Sequence, residues 1–350
     1  MQNYDQAANL LKLLDRPAFV VADGMIVLAN EAALQKQVNI GAAIDSLFVT
    51  GKEAYDAYSD GRLYMRLNIA ETVWDVSVTR LENGDIFLLE RSVSESELRI
   101  LSLAALQLRA PLGELMALTG KLADDEDAVA AAKLNRNLLS MQRLVANMAD
   151  APRYAHSVNY KMQTENITAY LQEMMQKCAF LLEKAGFILS YSGPKEDIFL
   201  PISSERMERA VYNLLSNAMK FSPIGSTITV RLEKANGFVM LTVTDEGNGL
   251  SNATDKNIFT RYLREPSIED SRIGMGLGMF YVCAGASSHG GTVLVRQIEG
   301  KGLSVTMTLS TKNDRTGLVS SKMIPIDYSG GRDHALLELS DVLPYELYQM

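Results

Sequence analysis

The chain has 350 residues, of which 47% are hydrophobic and 22% charged, with a formal net charge of −8. That length predicts two or three domains with apolar content ample for packed cores, and the acidic balance speaks against a nucleic-acid partner, which leaves a basic footprint. No apolar run reaches the roughly 18 residues of a membrane span, the amino terminus lacks the basic and apolar regions of a signal peptide, and Cys178 and Cys283, the only cysteines, indicate neither a disulfide framework nor a zinc site.

The expectation is therefore a soluble cytoplasmic protein without membrane insertion. Residues 1–92 read as strands with turns between them. Ala18-Phe-Val-Val and Met25-Ile-Val-Leu flank Asp23-Gly24, a hairpin signal. Leu63, Met65, Leu67 and Ile69 alternate with more polar neighbours, as do Trp74, Val76 and Val78, and Asn83-Gly84 turns the chain into Asp85-Ile-Phe-Leu-Leu. Short helical pieces fall around 31–37, 43–48 and 52–58. Two strands, short helices and three strands resemble a PAS domain, most of all in Asp23-Gly-Met-Ile-Val-Leu-Ala-Asn30. No cysteine precedes Cys178 and no histidine precedes His156, so a flavin–cysteine adduct and a histidine-ligated haem are excluded in this region.

Residues 93–158 read as a helical hairpin. Ser94-Glu-Ser-Glu97 is a capping box. Leu98, Leu101, Ala105, Leu108, Leu112, Leu115 and Leu122 then form a coiled-coil-like seam. After Asp124-Asp-Glu-Asp127 a second helix repeats the pattern at Leu134, Leu138, Met141, Val145 and Met148. Two such hairpins build a four-helix bundle across a homodimer; a bundle within one chain is the alternative.

Residues 159–310 carry three polar boxes. In Asn213-Leu-Leu-Ser-Asn217-Ala-Met-Lys220, read as a helix, Asn213, Asn217 and Lys220 share a face at i, i+4 and i+7. Two carboxamides and an ammonium in line suit a hard cation and a polyphosphate; a plain solvated face gives the same pattern. Asp245-Glu-Gly247-Asn-Gly249 follows a strand-like run and by itself reads as a hairpin turn. Gly274-Met-Gly276-Leu277-Gly278 opens an apolar run, where glycines let backbone N–H groups approach a phosphate at a helix start.

In that order the boxes resemble the ATP-binding domain of sensor histidine kinases, of the superfamily shared with gyrase and Hsp90. The likeness extends to Ile258-Phe-Thr-Arg-Tyr-Leu-Arg264 and to Ser288-His289-Gly-Gly291. It implies ATP and Mg²⁺ as cofactors. Asn217 would hold the metal with Asn213 nearby, and Lys220 would face the polyphosphate. Asp245 would accept from the adenine amine, with Gly247 and Gly249 admitting the base. Gly274, Gly276, Leu277 and Gly278 would border the phosphates. Residues 251–273 would form a lid bearing Arg261, Arg264 and Arg272, and His289 would be structural. The implied fold is multidomain α+β: a PAS-like antiparallel sheet, a dimeric helical hairpin and an α/β sandwich ATP-binding domain.

The same family places a phosphoacceptor box on the first hairpin helix, as His-Glu-Leu-Arg-Thr-Pro-Leu. Here Arg109, Pro111 and Leu112 match, but Leu106 stands for the histidine, Gln107 for the acidic residue and Ala110 for the Thr or Asn. Leucine has no nucleophilic atom and glutamine takes up no proton at useful pH. His156 and His334 lie in no acceptor motif. The chain thus reads as a histidine-kinase-like signalling protein that binds Mg-ATP without its own phosphoacceptor. Its partners would be a second copy and a response regulator or other signalling protein. The alternatives are an active kinase phosphorylating a partner's histidine and a nucleotide-free module acting through its bundle. Residues 311–350 form an extension whose apolar, acidic end is expected to dock on its own ATP-binding domain, because a free apolar tail is an aggregation liability.

Overall fold

A computed structural model describes residues 5–14, 16–81, 84–89, 104–105, 107–108, 112–113, 115–116, 128–155, 161–235, 237–249, 277–298, 302–311 and 333–349. After a short helix α1 (Asp5–Lys12), strands β1 (Ala18–Ala22) and β2 (Met25–Ala29) form the hairpin that Asp23-Gly24 predicts, with both turn residues at positive φ. Helix α2 (Glu31–Gln35) is capped by Asn30, whose Oδ1 accepts from Ala33 N. A 3₁₀ turn (Ile44–Leu47), β3 (Phe48–Thr50) and α3 (Lys52–Ala57) lead into β4 (Arg62–Ile69), β5 (Thr72–Leu81) and β6 (Gly84–Leu89). The sheet order is β2-β1-β6-β5-β4, all antiparallel. The alternating apolar side chains of β4 and β5, among them Leu63, Met65, Leu67, Val76 and Val78, are buried with Phe19 and Phe87.

Helix α4 (Ala128–Ala155) is the second arm of the expected hairpin. Of the first arm, the described residues 104–105, 107–108, 112–113 and 115–116 are helical. Ala105 and Leu112 pack with Leu138 and Val145 in one small cluster. The capping box at 94–97 and the acidic break at 124–127 lie outside the described residues.

The rest of the chain is an α/β sandwich. Strands β7 (Gln163–Asn166) and β9 (Phe199–Ile202) pair with each other, while β8 (Ile188–Ser192), β10 (Thr227–Ala235), β11 (Phe238–Thr244), β12 (Val293–Ile298) and β13 (Gly302–Ser310) form a sheet in the order β12-β13-β11-β10-β8. Helices α5 (Ile167–Lys184), α6 (Ser204–Phe221) and α7 (Gly278–Ser288) accompany it; Val211, Leu214, Leu215 and Ala218 of α6 are buried, as their spacing predicts. The loop after β11 is not a hairpin turn: β11 pairs with β10 and β13, so residues 245–249 leave the sheet.

The joint between the two sheets was not predicted from the sequence. Strands β4 and β12 pair antiparallel, Leu63 opposite Leu294, so the two sheets run on as one. Tyr64 lies in the core of the sandwich, Leu294 packs on the amino-terminal core, and Arg296 Nε meets Asp60 Oδ1 at 2.7 Å. The tail ends in helix α8 (His334–Glu338) and a 3₁₀ turn (Tyr345–Tyr348), both packed against α4. It docks on its own chain as expected, with Leu337, Leu339 and Leu343 in the core of the sandwich, but its packing against the hairpin helix was not expected. Among the described residues no helix is long and apolar enough to cross a membrane.

Candidate functional site

Described residues of the three boxes meet around α6: Gly278 borders Asn213 and Asn217, and Gly247 lies against Phe221 O at the end of the helix. Glu205 in the first turn of α6 and Lys220 in the last match the helix dipole. Asn213 is buried; its Nδ2 donates to Arg209 O at 2.7 Å, and its Oδ1 accepts from Arg143 Nη2 at 3.3 Å. Across from it stands the start of α7. A methyl group on Gly278 would lie 3.1 Å from Asn213 Oδ1 and 3.5 Å from Asn217 Nδ2, so the two helices meet here without room for a side chain. Leu277, the N-cap of α7, has no polar atom with which to cap it. The first N–H groups of α7 therefore lie beside the two carboxamides of α6, an arrangement that attracts an anion and its counter-cation.

Asp245 follows the last residue of β11 and is buried. Gly247 N and Leu303 N both donate to its Oδ1, at 2.9 and 3.1 Å, and neither bond engages Oδ2. Burial pushes its carboxyl above the usual range, an effect the two N–H donors only partly offset. Space for this carboxylate comes from Gly302, at φ +88°, where a methyl group would fall 2.5 Å from Asp245 Oδ1. Gly302 was not predicted; its signal was the Glu299-Gly-Lys-Gly302 turn between two strand-like runs.

The face bearing Asn213, Ser216, Asn217 and Lys220 is not a solvated face. Helix α4 and the tail cover it. Arg143 of α4 donates from Nε to Glu338 Oε2 at 3.1 Å and from Nη1 to Asp341 Oδ1 at 2.5 Å. Asp341 Oδ2 pairs with Lys220 Nζ, and Ser216 Oγ donates to Asp341 Oδ1 at 3.3 Å. Arg209, wholly buried, donates to Asp150 at 2.7 Å, and Tyr281 Oη donates to Asn147 O at 2.5 Å. None of Arg143, Arg209, Glu338 and Asp341 was singled out from sequence, because their pairing spans 50 to 200 residues.

His289 is structural, as expected: Ser203 N donates to its Nε2 at 3.0 Å, so Nδ1 carries the proton and donates to Gly285 O at 2.7 Å. Cys178 is buried and its thiol is pushed up to about 12 by desolvation, so it is chemically inert. Gly247 and Gly249 lie beside Asp245 on the loop after β11. Arg261, Arg264, Arg272, Gly274 and Gly276 lie outside the described residues, as do Leu106, Arg109, Ala110, Pro111 and His156; Gln107 is exposed on its helix. Among the described residues no His, Cys, Asp or Glu cluster could hold a metal alone.

Residues 202–313 match the family of histidine kinase-, DNA gyrase B-, and HSP90-like ATPases. The chain is also similar to histidine kinases over longer stretches. It is 27% identical to hybrid signal transduction histidine kinase D of Dictyostelium discoideum, over 80% of this chain and 19% of that protein. It is 28% identical to sensor protein kinase PmrB of Pseudomonas aeruginosa, over 65% of this chain and 49% of that protein. The chain thus spans between about a fifth and a half of the length of these relatives. The fold resembles that of full-length ShkA in complex with AMPPNP, with a TM-score of 0.51 and 18% identity, covering 63% of this chain and 47% of that one. The residues that match this ATPase family, 202–313, contain all three boxes.

Proposed function

We propose that this chain is a sensor-histidine-kinase-like signalling protein that binds Mg-ATP and does not phosphorylate itself. The observation that carries the reading is the meeting of Asn213 and Asn217 with the uncapped start of α7, with Asp245 held on the neighbouring loop. In it, Asn217 supplies an amide oxygen to Mg²⁺, whose other ligands come from phosphates and water. Lys220 and the α7 amides take phosphate charge, and Asp245 Oδ2 accepts from the adenine amine. Gly274, Gly276 and the lid arginines Arg261 and Arg264 complete the phosphate side by resemblance.

The bound nucleotide acts as a conformational ligand. Leu106 has no nucleophile and Gln107 no base, so the γ-phosphoryl group has no acceptor in the degenerate box. Residues 1–92 serve as the PAS-like input, a reading supported by the antiparallel strand order β2-β1-β6-β5-β4. The hairpin pairs with a second copy, and a response regulator or other signalling protein reads the result. Incubation of the whole chain with γ-labelled ATP is expected to leave no acid-labile, base-stable label on it. Such label on the wild-type chain overturns the reading, and mapping it to His156 would name the acceptor.

A further inference from the structure

The tail covers the polar face of α6 to which the proposed function assigns the phosphates. Of the cations around the α6 stripe, Lys220 and Arg143 both turn to one carboxylate, that of Asp341. Two oxygens of Asp341 thus accept from Lys220, Arg143 and Ser216, and Arg143 in turn touches Asn213, the carboxamide that borders Gly278. A carboxylate held by a lysine, an arginine and a hydroxyl is the pattern by which proteins hold a phosphoryl group. Burial alone would push Asp341 up, but Arg143 and Lys220 outweigh it and hold the carboxyl below its usual range.

The segment around Asp341 is built to stay. Asp333 accepts from Ala335 N and Leu336 N and so starts α8, Tyr348 Oη donates to Leu336 O at 2.9 Å, and Asn135 Nδ2 donates to Tyr348 O at 3.3 Å. Arg136 donates to Ser340 O and Asp341 O, and Leu337, Leu339 and Leu343 are buried in the core of the sandwich. Glu338 is buried against Arg143 and Arg209.

We infer that residues 333–349 are an intramolecular competitor for the phosphate end of the nucleotide site, with the Asp341 carboxylate standing in for a terminal phosphoryl group on Lys220 and Arg143. This rests on the reading that α6 and α7 hold a nucleotide. Nucleotide and closed tail then exclude each other. A tail closed in roughly nine molecules of ten weakens apparent affinity about tenfold, and the coupling is reciprocal, so nucleotide loosens the tail.

Two full-chain variants separate competition from charge. Asp341→Asn removes the stand-in carboxylate. Leu343→Asp unseats the tail from its apolar bed without touching Lys220 or Arg143. Mg-ATP affinity is measured by calorimetry for both and for the wild type, and amide exchange of 333–349 is followed with and without saturating Mg-ATP. Both variants are expected to tighten binding about tenfold, and Mg-ATP is expected to speed tail exchange in the wild type. Tightening by Asp341→Asn alone is the effect of an unbalanced positive charge and overturns the inference. So does unchanged or weaker binding in both variants with a tail that stays protected, while the nucleotide site itself then stands. No binding by any of the three proteins overturns site and competitor together.

Discussion

Asp245 and Asp341 are both largely buried carboxylates, and their protons respond in opposite directions. Asp245 is raised by desolvation, so the folded chain holds its proton more tightly than the unfolded chain. Its ionised form therefore opposes folding, and the opposition is relieved as pH falls through its raised folded value. Asp245→Asn is therefore expected to keep or raise the Tm at neutral pH, since an amide oxygen still accepts from Gly247 N and Leu303 N. Asp341 is lowered by Arg143 and Lys220 in spite of its burial, so its contribution is present above the unfolded carboxylate value and lost as pH falls through the lower folded one. Asp341→Asn is expected to lower the Tm at neutral pH and to have no effect in strong acid. Thermal scans of both variants across pH check the two signs; a Tm loss for Asp245→Asn at neutral pH would mean that its carboxylate is structural. Sequence showed Asp245, because a short box of fixed spacing surrounds it. Asp341 was invisible in sequence, because its meaning comes from Lys220 and Arg143, which lie about 120 and 200 residues away.

Among the elements, the hairpin shows how one seam divides into two faces. Leu138 and Val145 of α4 are buried with Ala105 and Leu112, whereas Leu134 and Met141 are 41% and 49% exposed, and Leu108 and Leu115 on the other arm are each 49% exposed. Sequence periodicity placed Ala105, Leu108, Leu112 and Leu115 in one seam and Leu134, Leu138, Met141 and Val145 in the seam of the second helix. It could not say which half of each seam faces the other arm and which half stays exposed on this chain. Four half-exposed large side chains on two adjoining helices fit a four-helix bundle between two copies. Light scattering on the whole chain is expected to give twice the chain mass, and Leu134→Asp is expected to give the single mass, because a seam does not accommodate an unpaired charge. A wild-type monomer at micromolar concentration would remove the dimer. The α6 helix was legible to the residue, with its apolar side in the core. Its polar side was legible as a candidate site but not as a covered one, since no local pattern announces α4 and the tail lying over it.

At the scale of the whole molecule, the paired edges β4 and β12 tie the amino-terminal sheet to the ATPase sandwich. Each side lends the other a residue, Tyr64 one way and Leu294 the other. Alternation and turns marked the strands of residues 1–92 and the run before Asp245, but not the order in which the strands pair. Nor did they mark the joint, because edge-to-edge pairing adds no signal beyond that of two ordinary strands. It gives the amino-terminal module a direct mechanical path to β13, which supplies Leu303 N to Asp245. Leu294→Asp is expected to part the two sheets, seen as faster amide exchange at 293–295 and a larger scattering radius, while β4–β5 amides stay protected. Unchanged exchange at 293–295 would show that the pairing bears no load.

The proposed function and the competing tail both depend on nucleotide entering between Asp245 and the α6–α7 junction, and equilibrium binding tests that most directly. Mg-ATP titrated into the full chain, followed by calorimetry up to millimolar concentration, is expected to fill one site per chain. In Asp245→Asn the affinity is expected to fall by about 1.5–3 kcal/mol, roughly ten- to a hundredfold, the worth of a hydrogen bond to a charged acceptor. No heat at millimolar Mg-ATP, or equal affinity in wild type and Asp245→Asn, would contradict the account.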